Sequence, residues 1–358
     1  MAELMHEIEW SSPLLPQFQI PEWEERVRSR LGGVPDIFKR VSRIEWLRET
    51  LLHWPNYRPQ EFSQKLSHIC SLVTAQENAC RYCYGVARSQ MKLMGYSERF
   101  IDNIERETQL AELDTKERAF VQFCRNLSRS APRPSRADCN RLIELGFSPL
   151  AVAEMAFLIV NHCFTNRVST FIAIPPMANL ENLSTSFIGR VFRPLIKKRL
   201  KKILWKGPGE LQGDETSFPG VVKALRGLPA AKALYDTFTG AFEPGFISQE
   251  LKVLMFAVVA RSLECEFCEN ETKDMASQIG IDDKEFEKAL VSLDSPRLQG
   301  EEKTILSWTR ETIHFQTGPM QKRIKELKVQ MDELKLLEAI GIAALANSTI
   351  RLAVLIGE

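Results

Sequence analysis

Apolar and polar positions along the chain follow helical spacing. Residues 85–95 place Val86, Met91, Leu93 and Met94 on a largely apolar surface bounded by Gly85 and Gly95. Helix starts are marked by short polar residues. Asp114-x-x-Glu117 and Asp282-x-x-Glu285 read as capping boxes, and Ser97 and Asp282 each follow a glycine-containing turn. Ser148-Pro149 pairs a cap residue with a proline at the first helical position, opening an apolar helix that runs to about Cys163. Alternating patterns bounded by Asn-Gly turns, the mark of hairpins, are absent. The expected fold is all-α.

The pattern occurs twice. Cys80-Arg-Tyr-Cys83 returns 185 positions later as Cys265-Glu-Phe-Cys268, and the same offset relates Pro59 to Pro244, Leu66 to Leu251, Gly95 to Gly280, Glu117 to Glu302 and Arg125 to Arg310. An offset of 184 relates Pro35 to Pro219, Lys39 to Lys223, Glu154 to Glu338 and Arg167 to Arg351. One-residue gaps reconcile the two offsets. Matched landmarks on both sides of a motif point to two tandem copies. The expected division is an N-terminal extension over 1–32, a first helical domain over 33–177, a linker over 178–216 and a second domain over 217–358, the two domains packed as a pseudo-dimer.

Composition narrows this little. The chain has 358 residues, 44% hydrophobic and 26% charged, ordinary for a globular protein of two or three domains. Eight cysteines are far too few for a disulfide scaffold. Residues 1–10 lack the basic and apolar regions of a secretory signal, and the longest apolar stretch, 150–160, contains Glu154 and reads as a buried helix. A cytoplasmic protein with reduced thiols is the expectation. The net charge of +1 argues against a globally basic nucleic-acid binder. Yet within the linker the run from Arg190 to Lys206 holds eight bases and no acid, interleaved with Val191, Phe192, Leu195, Ile196, Leu200, Ile203, Leu204 and Trp205. Removing those eight from the 47 Lys and Arg leaves 39 against 46 acidic residues, a body of net charge −7. Such a segment either contacts an anionic membrane or protein partner, or packs its apolar side on the acidic domains.

The cysteine pairs carry the candidate chemistry. Zinc ribbons place two CxxC pairs about 15–20 residues apart, whereas 181 residues separate Cys83 from Cys265, so no metal and no organic cofactor is expected. A redox dithiol fits better, because positions i and i+3 at a helix N-terminus lie close and the helix end favours a thiolate. Arg81 and Arg88 flank the first pair, while Glu264, Glu266, Glu269 and Glu271 crowd the second. By charge, Cys80 and Cys83 form the more reactive pair, and Cys265 and Cys268 the weaker. Cys70, Cys124, Cys139 and Cys163 read as small core residues; His162 adjoins Cys163, but adjacent helical side chains do not face each other. Arg167 and Arg351, present in both copies, read as anion ligands or salt-bridge partners.

The ordered set of Lys65–Thr74, Cys80-x-x-Cys83, Gly95-Tyr-Ser, Thr115-Lys-Glu-Arg-Ala-Phe, Leu145-Gly-Phe-Ser-Pro, Phe164-Thr-Asn-Arg167 and Ile174-Pro resembles the alkylhydroperoxidase D and carboxymuconolactone decarboxylase superfamily, in particular its peroxidase-related members. The second copy shows a thinner version ending in Ile350-Arg351. The resemblance implies an all-helical fold, a homo-oligomer, Cys83 as the peroxidatic cysteine and Cys80 as the resolving one. It also implies a proton relay through a Glu 12 residues before the motif and a His four after it. Those positions hold His68 and Ala87 in the first copy, and Val253 and Thr272 in the second. His68, or less directly Glu77, is the substitute base in the first copy. The implied activity is a thiol-dependent peroxidase or disulfide oxidoreductase acting on a hydroperoxide or disulfide and regenerated by an external dithiol. The alternatives are a binding or redox-regulatory protein on a peroxidase-like fold, and a decarboxylase acting on a muconolactone-like acid.

Overall fold

The computed structural model describes residues 5, 8–106, 108–129, 134–211 and 218–357. Among them are twenty α-helices and no strand. The N-terminal region holds α1 (Pro21–Leu31), α2 (Asp36–Arg40) and α3 (Glu45–His53). The first copy continues with α4 (Gln64–Glu77), α5 (Arg81–Met94), α6 (Glu98–Arg106), α7 (Thr115–Ser128), α8 (Arg136–Glu144) and α9 (Pro149–Phe171). The linker forms α10 (Ala178–Thr185), α11 (Phe187–Val191) and α12 (Arg193–Ile203). The second copy runs α13 (Pro219–Ala224), α14 (Pro229–Phe242), α15 (Gln249–Ser262), α16 (Glu266–Gln278), α17 (Asp283–Ser292), α18 (Glu301–Glu311), α19 (Thr317–Lys328) and α20 (Glu333–Ile356).

The duplication is visible helix by helix, with α2 to α9 reappearing in order as α13 to α20 at the offsets read from the sequence. The caps form where their residues stand. Asp114 and Glu117 close a full capping box on α7. Asp282 accepts from the Glu285 amide at the start of α17, and Ser148 from the Ala151 amide at the start of α9. Each such cap contributes about 1 kcal/mol.

α9 and α20 form the central pair and pack on each other. Both are apolar all round and almost wholly buried, as a helix without a solvent face must be. By length and composition α20 could cross a membrane, but 89% of its most apolar window is buried inside the protein. It is the core helix of the second copy, as α9 is of the first.

The two copies grip each other reciprocally. Arg167 on α9 donates from Nη1 to the Thr312 carbonyl at the end of α18 (2.7 Å), and Arg351 on α20 donates from Nη1 to the Arg129 carbonyl at the end of α7 (3.1 Å). Helix C-termini expose unpaired carbonyls and partial negative charge, so a guanidinium there satisfies both. Arg167 also lies over the Phe315 ring, 4.6 Å from its centroid. Neither arginine forms an ion pair with a described acid. The two cations therefore serve as ties between the halves and not as partners of a described acid.

Glu154 and Glu338 are equivalent buried anchors. Glu154 accepts from the Tyr57 hydroxyl (2.7 Å) and from the Gln60 and Glu61 amides. Glu338 accepts from the Phe246 and Ile247 amides and pairs with buried Lys252 at 2.8 Å. Each holds the loop that leads into the helix before the cysteine motif. The copies thus keep the carboxylate and its loop but change the third partner.

Candidate functional site

Both cysteine motifs are set by the same turn. α4 ends at Asn78, Ala79 takes a left-handed conformation (φ 47°), and the Cys80 amide returns to the Ala75 carbonyl at 3.0 Å. α15 ends at Leu263, Glu264 is left-handed (φ 52°), and the Cys265 amide returns to the Ala260 carbonyl at 2.9 Å. This is the Schellman helix ending, usually supplied by glycine. A side chain there costs on the order of 1–2 kcal/mol, so the turn is held by its surroundings. At Ala79 one tie comes from the other copy, where the Thr317 hydroxyl donates to the Ala79 carbonyl at 3.1 Å. The first cysteine of each motif is thus both the residue after one helix ending and the N-cap of the next helix.

In the first copy the Cys80 sulfur accepts from the Cys83 amide at 3.3 Å. Cys80 is fully buried, whereas Cys83 is partly exposed. In the second copy the Cys265 and Cys268 sulfurs lie 2.7 Å apart and both residues are buried. The second pair is in sulfur–sulfur contact, and in the first the Cys80 side chain also reaches that of Cys83.

Cys83 opens onto a cavity of about 240 Å³. Ile37, Phe38, Leu51, Val86, Met177 and Leu180 make its walls largely apolar, and Leu200 and Ile203 of α12 close it from the linker side. Its polar lining combines His162, Thr165 and Asn166 of α9 with Asn56, Ser71 and Gln90. One turn further along, the Ser169 hydroxyl sits beside the Cys83 sulfur and favours its thiolate without meeting hydrogen-bond geometry. The Asn166 amide nitrogen is buried and has no hydrogen-bond partner.

His68 lies elsewhere. It lines an adjoining cavity of about 500 Å³ with Tyr96, Lys197 and Lys201, and does not line the Cys83 cavity. Its Nδ1 meets the Tyr96 hydroxyl at 3.2 Å. Ser71, Gln90 and His162 are among the residues that line both cavities, so His162 borders the cavity of His68 as well as that of Cys83. Burial and then Lys197 push His68 down to about 4, and burial alone takes His162 to about 4. Both imidazoles are neutral near pH 7.

The charge argument for a reactive first pair does not survive the geometry. Arg81 forms a two-pronged ion pair with Glu181 of α10, and Arg88 is engaged by Glu98, Asp102 and Glu105. Burial and the neighbouring Cys80 sulfur push the Cys83 thiol well above its usual value. Cys268 is also pushed up, by its contact with Cys265, then by burial and by nearby Glu271. What separates the pairs is access, because Cys83 reaches a cavity and Cys268 is enclosed.

Glu77 is taken by Arg125 and Arg129 and is not a base for the cysteines. Cys70, Cys124, Cys139 and Cys163 are all buried, and Cys163 accepts from the Asn78 amide at 3.7 Å, on a different side of α9 from His162. Among the described residues no group of three or more His, Cys, Asp or Glu could hold a metal ion.

His162 is the site residue that sequence reasoning missed. Weighing it only against Cys163 hid its proper company, Thr165, Asn166 and Ser169, a polar stripe at helical spacing along α9. The equivalent positions on α20 hold Ala346, Thr349, Ile350 and Ala353. The stripe exists in one copy only.

No protein-family profile matches the chain, and no curated protein does. Among solved structures it is similar to a Ralstonia eutropha protein described as an alkylhydroperoxidase AhpD core and an uncharacterized peroxidase-related protein, at 15% identity and TM-score 0.43, over 49% of this chain and 99% of that one. It is also similar to an uncharacterized peroxidase-related protein from a Silicibacter species, at 18% identity and TM-score 0.40, over 49% of this chain and 97% of the other.

Proposed function

We propose that the first copy is a dithiol site that reduces an organic hydroperoxide or a disulfide, with Cys83 attacking and Cys80 resolving. The observation that carries this reading is the position of Cys83 on a cavity wall, with Cys80 buried behind it as the N-cap of the same helix. The apolar walls suit an organic hydroperoxide better than a small hydrophilic one.

The thiolate of Cys83 attacks the distal peroxide oxygen; a sulfur–oxygen bond forms, the O–O bond breaks and the sulfur is oxidised to a sulfenic acid. The alkoxide leaves with a proton as the alcohol. Cys80 then attacks the sulfenic sulfur, a disulfide forms, and hydroxide leaves with the Cys80 proton as water. An external dithiol takes up the oxidation and returns both thiols. Neutral His162 accepts the Cys83 proton and passes it to the alkoxide, while the free Asn166 donor steadies the reacting oxygen. With Cys83 pushed up, that proton transfer is needed at neutral pH.

The test is mass spectrometry of thiol states in the reduced full chain after brief treatment with an apolar organic hydroperoxide. A Cys80–Cys83 disulfide should form before any Cys265–Cys268 disulfide. Earlier oxidation of the second pair, or undiminished hydroperoxide consumption by Cys83→Ser, would sink the reading. The raised thiols favour one other role, a redox-regulatory or binding protein that uses the cavity without turnover. That role predicts ligand binding in the cavity and no catalytic consumption of hydroperoxide.

A further inference from the structure

The linker has two unlike sides. Leu200 and Ile203 face inward and roof the Cys83 cavity. A parallel bridge between Tyr57 and Trp205 pins the linker end, with the Trp205 amide on the Asn56 carbonyl (2.7 Å) and the Arg58 amide on the Trp205 carbonyl (2.8 Å). On the other side large apolar residues face solvent, with Phe187 74% exposed, Ile188 61%, Val191 55%, Phe192 50% and Leu195 64%. Five of the ten large exposed hydrophobics described in the whole chain therefore fall within nine residues. Single exposed apolar residues need no explanation, but a contiguous patch does.

The charges around this patch are unspent. Elsewhere in the protein about half of the described Lys and Arg are paired with acids, whereas none of the eight bases from Arg190 to Lys206 forms an ion pair with a described acid. A groove of about 760 Å³ runs between α1 and α12 beside the patch, lined by Arg30, Lys198, Arg199 and Lys202 together with Phe192 and Leu195 and by no acid. Exposed aromatic and aliphatic side chains flanked by unpaired bases are the composition of a helix lying in a membrane interface.

We propose that α11 and α12 dock the protein on an anionic lipid surface, with Phe187, Ile188, Val191, Phe192 and Leu195 entering the headgroup boundary and the basic groove taking lipid phosphate. An acidic protein surface would satisfy the charges, but it does not explain five apolar side chains held out in water. A second copy of this chain would bury the apolar face and is separated from a lipid surface by the test below. Docking is independent of cysteine chemistry, so it should persist in Cys83→Ser.

Co-sedimentation of the full chain with vesicles of phosphatidylcholine plus phosphatidylserine, against phosphatidylcholine alone, measures it. Binding should appear on the anionic vesicles and fall with salt. Lys198→Glu with Lys202→Glu should lower partitioning about 30-fold or more, at roughly fivefold for each lost base. Phe187→Ser with Phe192→Ser and Leu195→Ser should lower it at least tenfold, and because these side chains are already exposed the thermal midpoint should stay put. Equal binding to neutral vesicles, no binding to either, or complete competition by inorganic phosphate overturns the proposal. So does a concentration-dependent dimer in sedimentation equilibrium that the triple variant abolishes, since the apolar face would then belong to a second copy.

Discussion

The two halves share a frame and differ in what fills it. Eight helices recur in order, the first cysteine of each motif follows a left-handed non-glycine residue, and each central helix buries a carboxylate that holds the same loop. Yet the first half carries the His162, Thr165, Asn166 and Ser169 stripe and a cavity at its cysteine, while the second carries Ala346, Thr349, Ile350 and Ala353 and encloses Cys268. A fold of this kind is set by many apolar positions and a few caps, so it tolerates loss of the polar groups that chemistry needs. A recurring CxxC by itself therefore says little about reactivity. The side chains one helix away, and the access they allow, say more.

The sharpest break of this comparison is at the sulfurs. Cys83→Ser should cut hydroperoxide turnover about a thousandfold or more, while Cys268→Ser should change it less than twofold; comparable losses would make the halves equivalent. Next come the buried carboxylates, read by chemical denaturation. Lys252→Met leaves Glu338 without its counter-charge and should cost about 3–5 kcal/mol. Tyr57→Phe removes one neutral donor from Glu154 and should cost about 2 kcal/mol, so a reversed order would contradict the difference in third partners.

His162→Gln should slow the chemical step about a hundredfold, and Ala346→His should restore nothing to the second half. The pH profile carries the signs. With His162 held near 4, it serves as an acceptor down to about pH 5 and is lost below that as the ring protonates. With Cys83 pushed up, the rate should keep rising through the ordinary thiol range. The same histidine affects stability. The unfolded ring takes a proton below its ordinary 6.5 and the native ring only near 4, so stability is lost as pH falls between those values. His162→Gln should flatten that loss by up to about 3 kcal/mol. The smallest effect is expected at Ser169→Ala, a fall of about threefold in rate near neutral pH, from a slightly more reluctant thiol.

Much of the frame was legible in the sequence. Asp114, Asp282 and Ser148 cap the helices they announce, and the offsets pair the helices correctly, because capping and apolar spacing are local signals. The site was half legible. Cys80 and Cys83 announce themselves, but Arg81 and Arg88 look like activators until Glu181 and the acids of α6 are found to hold them. His162 needed the third dimension, since nothing along the chain says that α9 turns that face toward residue 83. The linker's two alternatives could not be separated along the chain, because which of its apolar residues pack, as Leu200 and Ile203 do, and which stay bare, as Phe187 and Leu195 do, is set by the body it lies on.

The exchanged arginines have a consequence for how the molecule comes apart. Arg167 and Arg351 each find their carbonyl acceptor in the opposite half, and both are almost fully enclosed. Separating the copies would strip each arginine of its carbonyl acceptor and bare the apolar faces of α9 and α20 to water. The halves, though descended from one ancestor, are no longer modules: heat should melt them in a single calorimetric transition, and neither should be expressible alone as a folded unit.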